Sequence, residues 1–66
     1  MPEILTLDDL AAFLKMTRGQ CYTLTRKRSQ LRQEHPLPVL RINGNLRFRR
    51  TDVEAWLEKL AEASHD

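Results

Sequence analysis

A mainly α fold with one small β-hairpin is what this 66-residue sequence predicts. Apolar residues recur at helical spacing in two well-separated stretches, Leu7–Leu14 and Val53–Leu60. A capping signature at Thr17 and Gln20 opens another helix almost as soon as the first one ends. Between the second and third helices, apolar and polar residues alternate on either side of Asn43-Gly44-Asn45.

The first helix is expected over residues 7–15. Thr6 can cap it, and Asp8 and Asp9 suit its positive first turn. Leu7, Leu10, Ala11 and Leu14 fall at i, i+3, i+4 and i+7, and Phe13 widens the stripe. Lys15 has the right sign for the last turn. Only Met16 and Thr17 then separate it from a helix starting near Arg18. So short a link forces a sharp angle, the geometry of a helix-turn-helix, with Met16 plugging the turn.

The second helix reaches Arg28, with its end open between there and His35. Cys21, Leu24, Thr25 and Arg28 project inward. Gly19, Thr23, Arg26 and Gln30 project outward, flanked by Tyr22 and Lys27. This outer line carries no acid before Glu34, whereas a merely solvated helix tends to mix signs. His35-Pro36-Leu37-Pro38 is extended, because a residue preceding proline is pushed out of the helical region.

The hairpin follows, with Leu40, Ile42, Leu46 and Phe48 expected on one face and Arg41, Arg47 and Arg49 on the other. Like charges facing one another on a sheet destabilise it. Three arginines side by side therefore call for a polyanion. Thr51 and Glu54 have capping-box spacing and predict a third helix from Asp52 to Ala63. Val53, Trp56, Leu57 and Leu60 form its stripe, with Trp56 as core anchor. Ser64-His65-Asp66 frays.

Composition excludes several classes. A chain of this length buries only about 60% of its unfolded surface, which argues for one domain over residues 1–66 and against a walled substrate pocket. The apolar runs are far short of the roughly 20 residues that span a bilayer. MPEILTLDDL lacks the basic start of a signal peptide. Cys21 stands alone, so no internal disulfide or Cys-spaced zinc site is available, and a reducing cytoplasm is the expected setting. The net charge of +2 hides a division: −3 over residues 1–14, +9 over 15–50 and −4 over 51–66. Such a basic block fits a polyanionic partner, the plain alternative being a basic solvated surface.

In this order, ILTLDDLAAFL, MTRGQCYTLTR, LPVLRINGNLRFRR and TDVEAWL give the chain a resemblance to the small excisionase-type helix-turn-helix domains. These are a branch of the winged-helix group that includes the MerR-like regulators. The resemblance covers residues 4–57. It implies a winged helix-turn-helix that binds double-stranded DNA near a recombination site, bends it and assists an integrase. A transcriptional regulator of the same fold is the alternative, and a protein-interaction module using the acidic face of the last helix is the rival of another class.

By position, the resemblance makes Arg18, Gln20 and Thr23 groove-facing residues and sets Tyr22, Arg26 and Lys27 along the flanking phosphates. Asn43, Asn45 and Arg47 become the wing tip, and Arg41 and Arg49 complete the hairpin's expected basic face. Thr23 departs from the basic residue common in this pattern, and Ser29–His35 is longer than the usual link to the wing. With no second reading module, useful specificity calls for further copies on adjacent sites or for a partner such as the integrase.

Other features read plainly. Cys21 and Trp56 are core residues, and His35 is a loop histidine with no second ligand nearby. Tyr22 can donate to a phosphate or pack on the wing. Ser64-His65-Asp66 cannot hold triad geometry as contiguous residues. No enzyme activity, cofactor, metal, membrane or small-molecule substrate is implied. Glu54, Glu58 and Glu62 form an acidic ridge, either solvated or open to a protein partner.

Overall fold

In the computed structural model, which describes residues 3–63, the Thr6 hydroxyl accepts from the Asp9 N–H and the Asp9 carboxylate accepts from the Thr6 N–H, each at 3.1 Å. This reciprocal cap starts α1 (Leu7–Leu14) as the sequence predicts. Lys15 ends it in the left-handed region, at φ 55° and ψ 45°. There its N–H reaches the Ala12 carbonyl at 3.3 Å and the next N–H, of Met16, reaches Ala11 at 2.9 Å. The helix therefore closes on a lysine where glycine would be unstrained.

Thr17 and Gln20 repeat the reciprocal cap, at 3.0 and 3.1 Å, and open α2 (Arg18–Thr25). The expected continuation to Arg28 breaks at Arg26, whose ψ of 138° is extended. Two threonines account for the weakness there. Thr23 donates its hydroxyl to the Gly19 carbonyl at 3.0 Å and Thr25 to the Tyr22 carbonyl at 2.6 Å. Such back-bonds compete with the main-chain ladder. Helix resumes as α3 (Lys27–Arg32), which buries no residue. Arg28, expected on an inner face, is exposed because the break reorients the turn that carries it.

Two hydrogen bonds pin the extended connection that follows. Gln30 Nε2 donates to the Leu37 carbonyl at 2.9 Å, and Trp56 Nε1 donates to the His35 carbonyl at 2.8 Å. Leu37 is thereby seated in the core at 2% exposure, a role its proline-flanked setting did not predict.

The sheet has three strands: β1 (Ile4–Leu5), β2 (Leu40–Ile42) and β3 (Asn45–Arg49), antiparallel in the order β1-β3-β2. Asn43 and Gly44 form a two-residue turn with φ of 50° and 79°, so both take the positive φ that this turn demands. Asn45 belongs to the strand. Arg41 consequently faces Leu46, Leu40 faces Arg47 and Ile42 faces Asn45.

This corrects the expected faces, because directly paired residues share a side. Arg41 shares a side with Leu46 and Phe48, while Leu40 and Ile42 share one with Arg47 and Arg49. Ile42 is 48% exposed, not part of the core. No arginine stands directly opposite another, so the expected cross-strand repulsion is absent, and only Arg47 and Arg49 share a side.

β1 sets Ile4 against Arg49 and Leu5 against Phe48. Beside it, the Arg50 N–H donates to the Glu3 carbonyl at 2.8 Å. The last helix, α4 (Arg50–Ala63), begins there, two residues earlier than expected. Thr51 lies inside it and turns its hydroxyl to the Glu3 carboxylate at 3.4 Å, and Glu54 pairs with Arg50 at 3.7 Å. The expected Thr51–Glu54 cap is not how this helix begins. Ser64-His65-Asp66 lies outside the described residues.

Leu5, Leu10, Ala11, Cys21, Leu37, Phe48, Val53 and Trp56 make the core, with Leu7, Leu14, Leu24 and Leu46 packed around it. Every helix but α3 contributes to it. The architecture is a winged helix-turn-helix: α1, turn and α2, then α3, the β2–β3 wing and α4.

Candidate nucleic-acid interface

Cys21 and Thr25 fix the orientation of α2 by burial, leaving Arg18, Gly19, Gln20, Tyr22 and Thr23 exposed. The wing lies beside it. Tyr22, Gly44 and Leu46 line two adjoining grooves between helix and wing. One groove, of about 420 Å³, also takes in Arg26, Lys27 and Arg41 and has no acidic residue in its lining. The other, of about 270 Å³, takes in Arg18, Asn45 and Arg47 together with Asp8. Tyr22 stands at the seam, 53% exposed.

The cations differ in how committed they are. Arg18 Nε meets Asp8 Oδ1 at 2.9 Å, Arg49 meets Asp52 at 4.0 Å, and Arg50 meets Glu3 and Glu54 at 3.7 Å each. Arg47 donates to its neighbour, the Leu46 carbonyl, at 2.7 Å. Arg26, Lys27, Arg28, Arg32 and Arg41 have no ion pair among the described residues. Lys15, Arg47 and Lys59 have none either, so the uncompensated cations are concentrated at the corner formed by Arg26, α3 and the wing without being confined there. Opposite charges of a ligand would enter that corner without displacing an internal partner.

The structure brings seven of the sequence-singled residues into these two grooves: Arg18, Tyr22, Arg26, Lys27, Arg41, Asn45 and Arg47. Gln20 and Thr23 lie on the open surface of α2, outside both linings, and each has a hydrogen bond to keep. Asn43 occupies the turn itself. Arg49 is on the other side of the sheet from Phe48, tied to Asp52, and joins neither groove. Sequence reasoning missed Asp8 in the second groove, and it did not single out Arg28 and Arg32, which stand exposed on α3 outside both linings. The signal for the two arginines was their i, i+4 spacing without an intervening acid.

Burial pushes the Cys21 thiol above its ordinary range, consistent with an inert core side chain. Among the described residues, no group of His, Cys, Asp and Glu could hold a metal ion, and no helix is long and apolar enough to cross a membrane.

No curated protein and no solved structure matches the chain. A family model described as a helix-turn-helix domain matches residues 4–61, and that span takes in the two capped helices, the wing and nearly all of α4. On that match and this architecture, the chain belongs to the helix-turn-helix family of DNA-binding domains.

Proposed function

We propose that the chain is a sequence-specific, architectural protein of the excisionase type, which bends double-stranded DNA and assists an integrase as a recombination directionality factor. The observation that carries the DNA contact is the acid-free groove in which Arg26, Lys27 and Arg41 gather around Tyr22. Duplex DNA presents a continuous phosphate ridge, and release of its counterions drives such cations onto it.

In this reading α2 enters the major groove. Gln20 and Thr23, on its open surface, address base edges, and Arg18 reaches the duplex on leaving Asp8. Tyr22, Arg26, Lys27 and Arg41 follow the phosphates. Asn43, Asn45 and Arg47 form the tip and near edge of the wing, and Arg49 adds charge at its base. The exposed residues Glu58 and Glu62 keep α4 away from the duplex and leave it open to an integrase or to further copies on adjacent sites. Charge reversal at these two positions should therefore leave affinity at an isolated site intact.

Footprinting on the DNA around the chain's own gene tests the biological role. Tandem repeats beside an integrase attachment site support excision. A single site overlapping a promoter makes the protein a transcriptional regulator of the same fold instead.

A further inference from the structure

α3 is hard to explain as part of a free protein. Its six residues are far fewer than the roughly 12–15 at which an isolated helix becomes even marginal in water. It buries no residue, and Leu31 is 78% exposed. Arg28 and Arg32 stand one turn apart, a like-charged spacing that weakens a helix. Lys27 and Leu31 stand one turn apart beside them. The result is a compact patch of three exposed cations around one exposed leucine, with no ion pair among the described residues.

The patch faces outward for a structural reason. Gln30, which points away from Arg28 and Arg32 but neighbours Lys27, donates to the Leu37 carbonyl and so anchors the helix to the core. Lys27 also lines the acid-free groove with Arg26 and Arg41, which makes the patch continuous with the basic corner.

Resting on the duplex-binding reading above, we propose that α3 is a second DNA contact. Arg28 and Arg32 hold phosphates on the two walls of a minor groove, and Leu31 wedges against the base step between them. Apolar wedges placed in this way partly unstack a step and kink the duplex. The like-charge strain within α3 is relieved when phosphates arrive between the arginines. The bend then originates in α3, apart from the base-reading surface of α2.

The test uses the whole chain and a duplex of about 30 base pairs that the wild-type chain selects from a random pool. Binding is measured across a range of KCl concentrations, and bending by energy transfer between dyes on the duplex ends. Because α3 buries no side chain, Arg28→Ala/Arg32→Ala and Leu31→Ala should keep the fold, which thermal melts verify. The double variant should lower the log–log salt slope by about 2, and Leu31→Ala should shrink the bend while leaving that slope unchanged.

An unchanged slope in the double variant, or an unchanged bend in Leu31→Ala, overturns the proposal. Arg26→Ala/Arg41→Ala serves as the separate control on the underlying reading. If that control lowers the slope while the α3 variants behave as wild type, the duplex lies on α2 and the wing alone. If the wild-type chain selects no duplex, the DNA-binding reading itself fails.

Discussion

Arg18 Nε lies 2.9 Å from Asp8 Oδ1, so the first residue of α2 is tied to the first turn of α1. The two side chains remain 69% and 77% exposed, and a pair so open to water contributes at most about 1 kcal/mol. Its larger effect is on a polyanion approaching the same groove. Asp8 is the acid in that lining, and it occupies the cation that a phosphate would seek.

Asp8→Asn should therefore raise affinity for duplex DNA, by less than about tenfold, and lower thermal stability only slightly. Titrations of one labelled duplex at two salt concentrations check this, with the gain largest at low salt. An affinity loss would mean that the pair positions Arg18 for its contact.

Gln20 and Arg47 should divide base reading from phosphate binding. Gln20 Oε1 already accepts from the Thr17 N–H at 3.0 Å, so Gln20→Ala would damage the helix start along with any base contact. Gln20→Glu keeps an acceptor for that cap and removes the donor that adenine recognition uses. It should hold the melting temperature while changing preference at one base position by about 1–3 kcal/mol. Arg47→Ala should weaken all sequences alike and lower the salt slope by about 1. Selection from random duplexes and salt titration of the two variants check it; loss of preference in Arg47→Ala alone would make the wing the reader.

Lys15→Gly should stabilise the domain by at most about 1.5 kcal/mol. Relief of left-handed strain, about 1–2 kcal/mol, exceeds the added flexibility of the unfolded chain, about 0.5–1 kcal/mol. Denaturant unfolding checks it, and DNA affinity should not move, since Lys15 lines neither groove.

Alkaline pH should destabilise the fold through Cys21. Burial raises the thiol above its ordinary value of 9.0, so beyond about pH 9 the unfolded chain releases a proton that the folded one retains. Stability should fall as pH rises through that range, and Cys21→Ala should remove this component at a cost of about 1 kcal/mol at neutral pH. Unfolding curves of the two proteins from pH 7 upward measure it.

The starts of α1 and α2 were legible because each cap is a local pattern, at Thr6 and at Thr17 with Gln20, whereas α4 begins at Arg50 without the expected Thr51–Glu54 cap. The wing was legible as a hairpin, but its faces were not. Asn45 tolerates a turn or a strand equally, and moving it by one position exchanges the sides of Arg41 and its neighbours. β1 escaped notice because two residues, Ile4 and Leu5, cannot display alternation, and their partners lie at Phe48 and Arg49. The break at Arg26 depends on the threonine back-bonds, a competition that apolar spacing does not register. For the candidate site, residue types along α2 were readable, whereas the free or engaged state of each cation required the positions of Asp8, Asp52 and Glu3.

The pairing of β1 with β3 also orders events during synthesis. α1, the turn and α2 meet through contacts between near neighbours, but helices of eight residues each do not hold until Leu37, Phe48, Val53 and Trp56 complete their core. Ile4 and Leu5 must wait, because their partners are translated long after them. Closing so long a loop carries an entropic penalty that only the completed sheet offsets. The helix-turn-helix and the wing therefore become firm together, once β3 and α4 have been made and the N-terminal strand has closed on them.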